Sequence, residues 1–130
     1  MDYKVNKYET KTWYKEGKLH REGGPAIECI SGTKFWYKED KYHREDGPAI
    51  EYDDGDKWWY KEGNLHREDG PAVEDANGTR HWLVEDKLHR IDGPAIENVN
   101  GTKEYYYLGK QIKCNSDEEY FKLLKLKAFW

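Results

Sequence analysis

One eleven-residue phrase fixes most of what this chain can become. Residues 18–28 read KLHREGGPAIE, and close copies follow at 41–51, 64–74 and 87–97. Tryptophan recurs at 13, 36, 59 and 82, every 23 residues, and Tyr105 continues the series. The flanking columns lock without a gap. Gly32, Gly55, Gly78 and Gly101 precede the Trp column, and Tyr14, Tyr37, Tyr60, Leu83 and Tyr106 follow it. His20, His43, His66 and His89, then Arg21, Arg44, Arg67 and Arg90, then Pro25, Pro48, Pro71 and Pro94 complete the set. A fixed period of this length marks a stacked-repeat architecture, in which no unit buries its apolar face alone. Four full units (10–32, 33–55, 56–78, 79–101) and a partial fifth (102–115) form one domain spanning 1–130.

Each unit reads as a β-hairpin followed by a return. TKTWYK (10–15) alternates and is rich in Thr and aromatics, which suits a pleated, half-buried strand. EGK, EDK, EGN and LGK are tight turns with Gly or Asp where a positive φ is needed. LHR begins the returning strand, the Gly-Pro step interrupts it, and AIE resumes it. DDG and ANG then turn the chain into the next unit; the sequons at Asn77 and Asn100 are read as such turns. The expected fold is all-β: a solenoid-like antiparallel meander of 23-residue hairpins.

Repeat arrays need caps. The last segment, 116–130, abandons the repeat code. Ser116 is an N-cap with Glu119 as its capping-box partner, and Asp117, Glu118 and Glu119 suit the positive end of a helix. The spacing predicts a C-terminal capping α-helix over 117–128, with Tyr120, Leu123 and Leu124 on its apolar face. Residues 1–9 are expected to add one capping strand at the other end.

Composition matters at two points. Charged residues reach 37% and aliphatics are scarce, which would suggest disorder, yet the net charge is only −4 and aromatics reach 15%. A core built of rings is the expectation. The mildly acidic balance gives no footprint for nucleic acid. No signal pattern or long apolar run is visible, so a cytoplasmic protein without membrane association is expected.

The unit W-Y-K-E-G-K-L-H-R-E-D-G-P-A resembles the MORN repeat, with Trp13, Gly17 and His20 matching its W…G…H core. Asp40 and Asp86 replace that Gly in two units, and Arg-x-x-Gly-Pro stands where the family places Gly-x-Gly after the His. The chain is more similar still to short bacterial and bacteriophage proteins built from LHREDGPA units. The resemblance implies an all-β repeat fold and a microbial or viral origin. It also implies a protein-binding or lipid-associated scaffold; antitoxins are among the relatives, and phage proteins of this size often block host defences.

The repeated side chains admit two readings. In one, His bonds the turn backbone and Arg pairs with Glu28, Glu51, Glu74 and Glu97. In the other, Arg21, Arg44, Arg67 and Arg90 form a cationic ladder for phosphate or carboxylate ligands. The acids beside them (Glu22, Glu45, Glu68, Asp46, Asp69, Asp92) weigh against the ladder. The His column is not expected to bind metal: equivalent residues fall about 9–10 Å apart at two strand spacings, while metal ligands sit at about 2 Å. By the same ruler Cys29 and Cys114 lie on the order of 30–40 Å apart and stay reduced. No cofactor is expected.

The column at 12, 35, 58, 81 and 104 varies most, and alternation sets it opposite the Trp column. The Trp rings are expected to stack unit on unit, with Leu19, Tyr42, Leu65 and Leu88 beside them. Architecture repeats and particular function varies, so Phe35, Trp58 and His81, with Tyr37 and Tyr60, form the candidate partner-binding patch. A second, shallow core under the Lys stems is the competing account. Phe129 and Trp130 either cap the array or join two copies through the C-terminal helix. The functional expectation is a non-enzymatic scaffold, encoded by a phage or bacterium, that blocks a host protein such as a CRISPR-type immune or toxin effector. The alternative is a nucleotide or lipid-headgroup binder using the Arg column.

Overall fold

The computed structural model describes residues 2–126. It is an antiparallel meander of hairpins closed by one short helix. Twelve strands form the main sheet. Its order follows the chain from Asp2–Val5 and Lys11–Lys15 through Ile27–Glu28 and Lys34–Phe35 to Lys103–Tyr107 and Lys110–Ile112. Three further hairpins stand beside it: Tyr37–Lys38 with Lys41–Tyr42, Tyr60–Lys61 with Asn64–Leu65, and Leu83–Val84 with Lys87–Leu88.

In units two to four the single expected strand is split at its Trp. Trp36 N donates to Ala49 O at 2.7 Å, and Trp36 O accepts from His43 N at 3.1 Å. The residues before Trp36 therefore pair with the return strand, and those after it pair with the hairpin arm. Both turn residues carry positive φ, 49° at Glu39 and 66° at Asp40, the backbone of a type I′ hairpin. Asp tolerates this because its carboxylate has a use there: Leu19 N donates to Asp40 Oδ1 at 2.6 Å, and Leu65 N to Asp86 Oδ1 at 2.6 Å.

The loop between the two halves of the return explains the HREDGP phrase. Each Arg folds back over the Trp of its own unit, with the guanidinium carbon 3.8–4.0 Å from the ring centroid in all four units. Arg44 also donates to Pro48 O at 3.1 Å and to Glu51 at 2.8 Å. Gly47 is required by this approach: a Cβ there would lie 2.8 Å from Arg44 Cζ. Each His in turn accepts, at Nδ1, the backbone N–H of the next unit's turn. The donors are Glu39, Glu62, Glu85 and Leu108, at 3.2, 3.1, 3.0 and 2.9 Å.

The expected unit-on-unit stack of Trp rings is replaced by these ring–guanidinium pairs, and the rings are half-buried. The Leu19, Tyr42, Leu65, Leu88 column lies elsewhere than expected. Its members pair directly with Tyr14, Tyr37, Tyr60 and Leu83, and direct cross-strand partners share a face. The fully buried column is instead Ala26, Ala49, Ala72 and Ala95, each with no exposed surface.

The strand Asp2–Val5 pairs with Lys11–Lys15, and Tyr3 stacks on Trp13 at 5.3 Å. At the far end the helix runs Asp117–Leu126. Its expected last turn to 128 lies outside the described residues. Glu119 N donates to Ser116 Oγ at 3.1 Å, the anticipated N-cap. Tyr120 is fully buried against Tyr105 and Ile112, and its hydroxyl donates to Arg90 O at 2.6 Å. Tyr105 donates to the Asp117 carboxylate. Burial, and then that carboxylate, hold the Tyr105 hydroxyl far above its ordinary pKa, while burial pushes Tyr120 up to about 12.

Candidate partner-binding face

The strand register sorts the side chains into two unlike faces. One carries an alternating ladder: Lys11, Glu28, Lys34, Glu51, Lys57, Glu74, Arg80, Glu97 and Lys103 stand opposite one another in sequence across the strands. The Arg–Trp pairs lie over this ladder, since the same guanidiniums reach its glutamates. Each ladder residue thus stands across from a residue of opposite charge.

The other face carries Thr12, Ile27, Phe35, Ile50, Trp58, Val73, His81, Ile96 and Glu104 in the same register. The candidate residues Phe35, Trp58 and His81 are thus interleaved with the Ile/Val returns and are half-buried. Tyr37 and Tyr60 join them through Tyr42, whose ring centroid lies 4.6 Å from Tyr37 and 4.9 Å from Tyr60. Phe35 contacts Tyr42 at 6.2 Å and Tyr52 at 6.3 Å, and Tyr52 meets Trp58 edge-on at 5.7 Å. All five candidates belong to one face, and four of them belong to a single chain of six rings. Burial, and for Tyr37 also a hydrogen bond with Tyr42, holds the hydroxyls of Tyr37, Tyr52 and Tyr60 above their ordinary pKa.

Beyond Trp58 the rings give way to an open apolar groove of about 400 Å³, with Trp58, Leu65, Val73, Leu83, Leu88 and Ile96 in its walls. Two polar side chains, Asp75 and His81, also line it. The Trp58 Nε1–H is buried there without a hydrogen-bond partner.

Tyr42, Tyr52 and Asp75 were not among the sequence candidates. Tyr52 and Asp75 occupy one repeat column with Cys29 and Asn98, as variable as the column that singled out Trp58, so the same criterion would have found them. Tyr42 was masked by its place in a column of leucines.

Arg21, Arg44, Arg67 and Arg90 lie on the ladder face, between 19% and 29% exposed at the side chain, each bonded to a Pro carbonyl and a Glu. The neighbouring Arg67 guanidinium holds the Asp69 carboxyl below its usual range. Phe129 and Trp130 lie outside the described residues. Cys29 and Cys114 are both free, and burial raises the Cys114 thiol. Among the described residues no group of three His, Cys, Asp or Glu could hold a metal ion, and no helix is long and apolar enough to cross a membrane. No family model matches the chain, and no curated protein or solved structure matches it.

Proposed function

We propose that this protein is a non-enzymatic, MORN-like scaffold that binds a protein partner along its ring-lined face and blocks it. A phage- or bacterium-encoded inhibitor of an immune or toxin effector, working in the bacterial cytoplasm, would act in this way. The observation that carries the proposal is the contrast between the two faces. On one, the repeated polar groups are spent on each other. On the other, six rings in contact lead into an apolar groove lined by the side chains of Asp75 and His81, which make no hydrogen bond or ion pair among the described residues. Aromatic anchors in a concave apolar site are the features that concentrate binding energy at protein interfaces. The engagement of every column Arg by ring, carbonyl and carboxylate favours this reading over a headgroup or nucleotide site on the Arg column.

The test is affinity capture from bacterial lysate with wild type and with Trp58→Ala/His81→Ala, followed by mass spectrometry. A single stoichiometric protein retained by wild type and lost by the variant supports the proposal. A co-purifying nucleotide or lipid, lost instead in Arg44→Lys/Arg67→Lys, would replace it.

A further inference from the structure

Two neighbouring inter-unit turns, one of which supplies Asp75 to the groove, carry acids that the other two inter-unit turns lack. The inter-unit turns are CISGT (29–33), YDDGD (52–56), DANGT (75–79) and NVNGT (98–102). They contain four carboxylates, Asp53, Asp54, Asp56 and Asp75, and no base. All four fall in the two middle turns, those adjoining Tyr52 and Trp58. The bases that follow, Lys57 and Arg80, belong to the ladder on the other face, where each stands opposite two glutamates. Three of the acids already accept a hydrogen bond that holds the turns: Asp53 from Thr33 Oγ1 (3.2 Å), Asp54 from Asp56 N (2.9 Å) and Asp56 from Ala76 N (2.6 Å). These bonds organise the carboxylates without neutralising them. Asp75 has no such bond and lines the groove itself.

From this arrangement, and resting on the binding reading above, we infer that the groove takes a basic amphipathic segment of the partner protein. Its apolar side chains would sit against Trp58, Leu65, Val73, Leu83 and Ile96, and its Lys or Arg side chains against Asp75 in the groove and towards Asp56 and Asp54 in the turn before Trp58, where Asp56 is bonded to Ala76 beside Asp75. An apolar channel with the Asp75 carboxylate in its lining, and no Lys or Arg there, selects this class over an acidic or uncharged one. Like charges beside that carboxylate would be held in place at a cost, and unlike charges steer encounter. Asp75 is the one carboxylate in the groove's lining, which apart from His81 is otherwise apolar.

The array supplies its own conservative variants. Asn77 and Asn100 stand where Asp54 does, and Asn98 stands where Asp75 does. Asp54→Asn/Asp75→Asn therefore removes two charges with residues the fold already uses. The experiment is selection of a random linear-peptide display library on the full chain, then anisotropy titration of the best synthetic peptide. Wild type should select peptides that combine apolar residues with Lys or Arg. The affinity should fall about fivefold in Asp54→Asn/Asp75→Asn, as expected for two partly exposed ion pairs, and should weaken with added salt. His81→Lys, at a position that already varies from Thr12 to Glu104, should repel the same peptide. Selected peptides without a basic bias, or affinity indifferent to the Asn pair, overturn the inference. If such neutral peptides are still lost on Trp58→Ala, the groove stands as a binding site and only the charge argument fails. If Trp58→Ala leaves peptide binding intact, the site reading fails with it. Failure to select any peptide overturns the inference, while lysate capture tests the face independently.

Discussion

Replacing Arg67 by Ala tests whether the repeated phrase is structural, and its cost can be worked from the contacts. The guanidinium lies 4.0 Å from the Trp59 ring centroid and donates to Pro71 O at 3.1 Å and to Glu74 at 3.3 Å. A partly desolvated cation–π contact contributes about 1 kcal/mol. A charged donor to a carbonyl contributes about 1.5 kcal/mol. The half-exposed Glu74 pair adds about 0.5 kcal/mol. Together these contacts give an expected loss of about 3 kcal/mol. Arg67→Lys keeps the charge but not the plane or the second donor, so it should lose about half of that. Urea unfolding followed by Trp fluorescence and far-UV dichroism reads both, with m-values compared to detect unit-by-unit melting. A loss below about 0.5 kcal/mol in Arg67→Ala would refute the structural role. Unchanged stability with abolished ligand binding would return the Arg column to function.

Three further outcomes follow from single contacts. Gly47→Ala should destabilise by about 1–3 kcal/mol, because the new Cβ displaces the Arg44 guanidinium from Trp36; chemical denaturation reads it. Tyr120→Phe should cost about 1–2 kcal/mol by leaving Arg90 O without its donor, and hydrogen exchange should show the loss concentrated in the last unit and the helix. Burial lowers the His89 pKa, so the folded state binds fewer protons there than the unfolded chain. Its stabilising share is complete above the unfolded value of about 6.5 and is lost as pH falls from there through the lower folded value. Thermal melts from neutral to mildly acidic pH should show this decline, and His89→Ala should make it shallower.

The hairpin, its turn residues, the interrupted return and the capped helix were legible because each rests on local chemistry repeated in phase. Asp at a positive-φ turn position, Ser116 before three acids, and Gly beside Pro each carry a local instruction, and four copies remove the ambiguity of one. The partners of His and Arg were legible as types but not as geometry. That Arg folds onto its own Trp depends on how far the loop swings back, which spacing does not encode. The Leu column was placed beside the Trp column because the interruption hid the register: Leu19 pairs with Tyr14, one residue past the Trp, and a step of one residue exchanges faces. Phe35, Trp58 and His81 stand out by the variability of their column, which marks a face without showing that rings from Phe35 to Trp58 touch. Tyr52 and Asp75 meet the same criterion but lie in turns, where variation is usually a sign of indifference.

The hairpin tips alternate: Gly17, Asp40, Gly63, Asp86, Gly109. At an Asp tip the bond of Leu19 N to the Asp40 carboxylate is added to those of Asp40 N to Leu19 O and Glu39 N to His20. At a Gly tip the carboxylate bond is missing, and only the backbone bond from Gly63 N to Tyr42 O and the bond from Glu62 N to His43 remain. The seams are therefore of two kinds, firm between units one and two and between three and four, and lighter between two and three. Under a stretching force the array should part first at its lighter seams and come away as couples. A shortened chain made by excising two neighbouring units would preserve the alternation, whereas excising one would set like tips side by side.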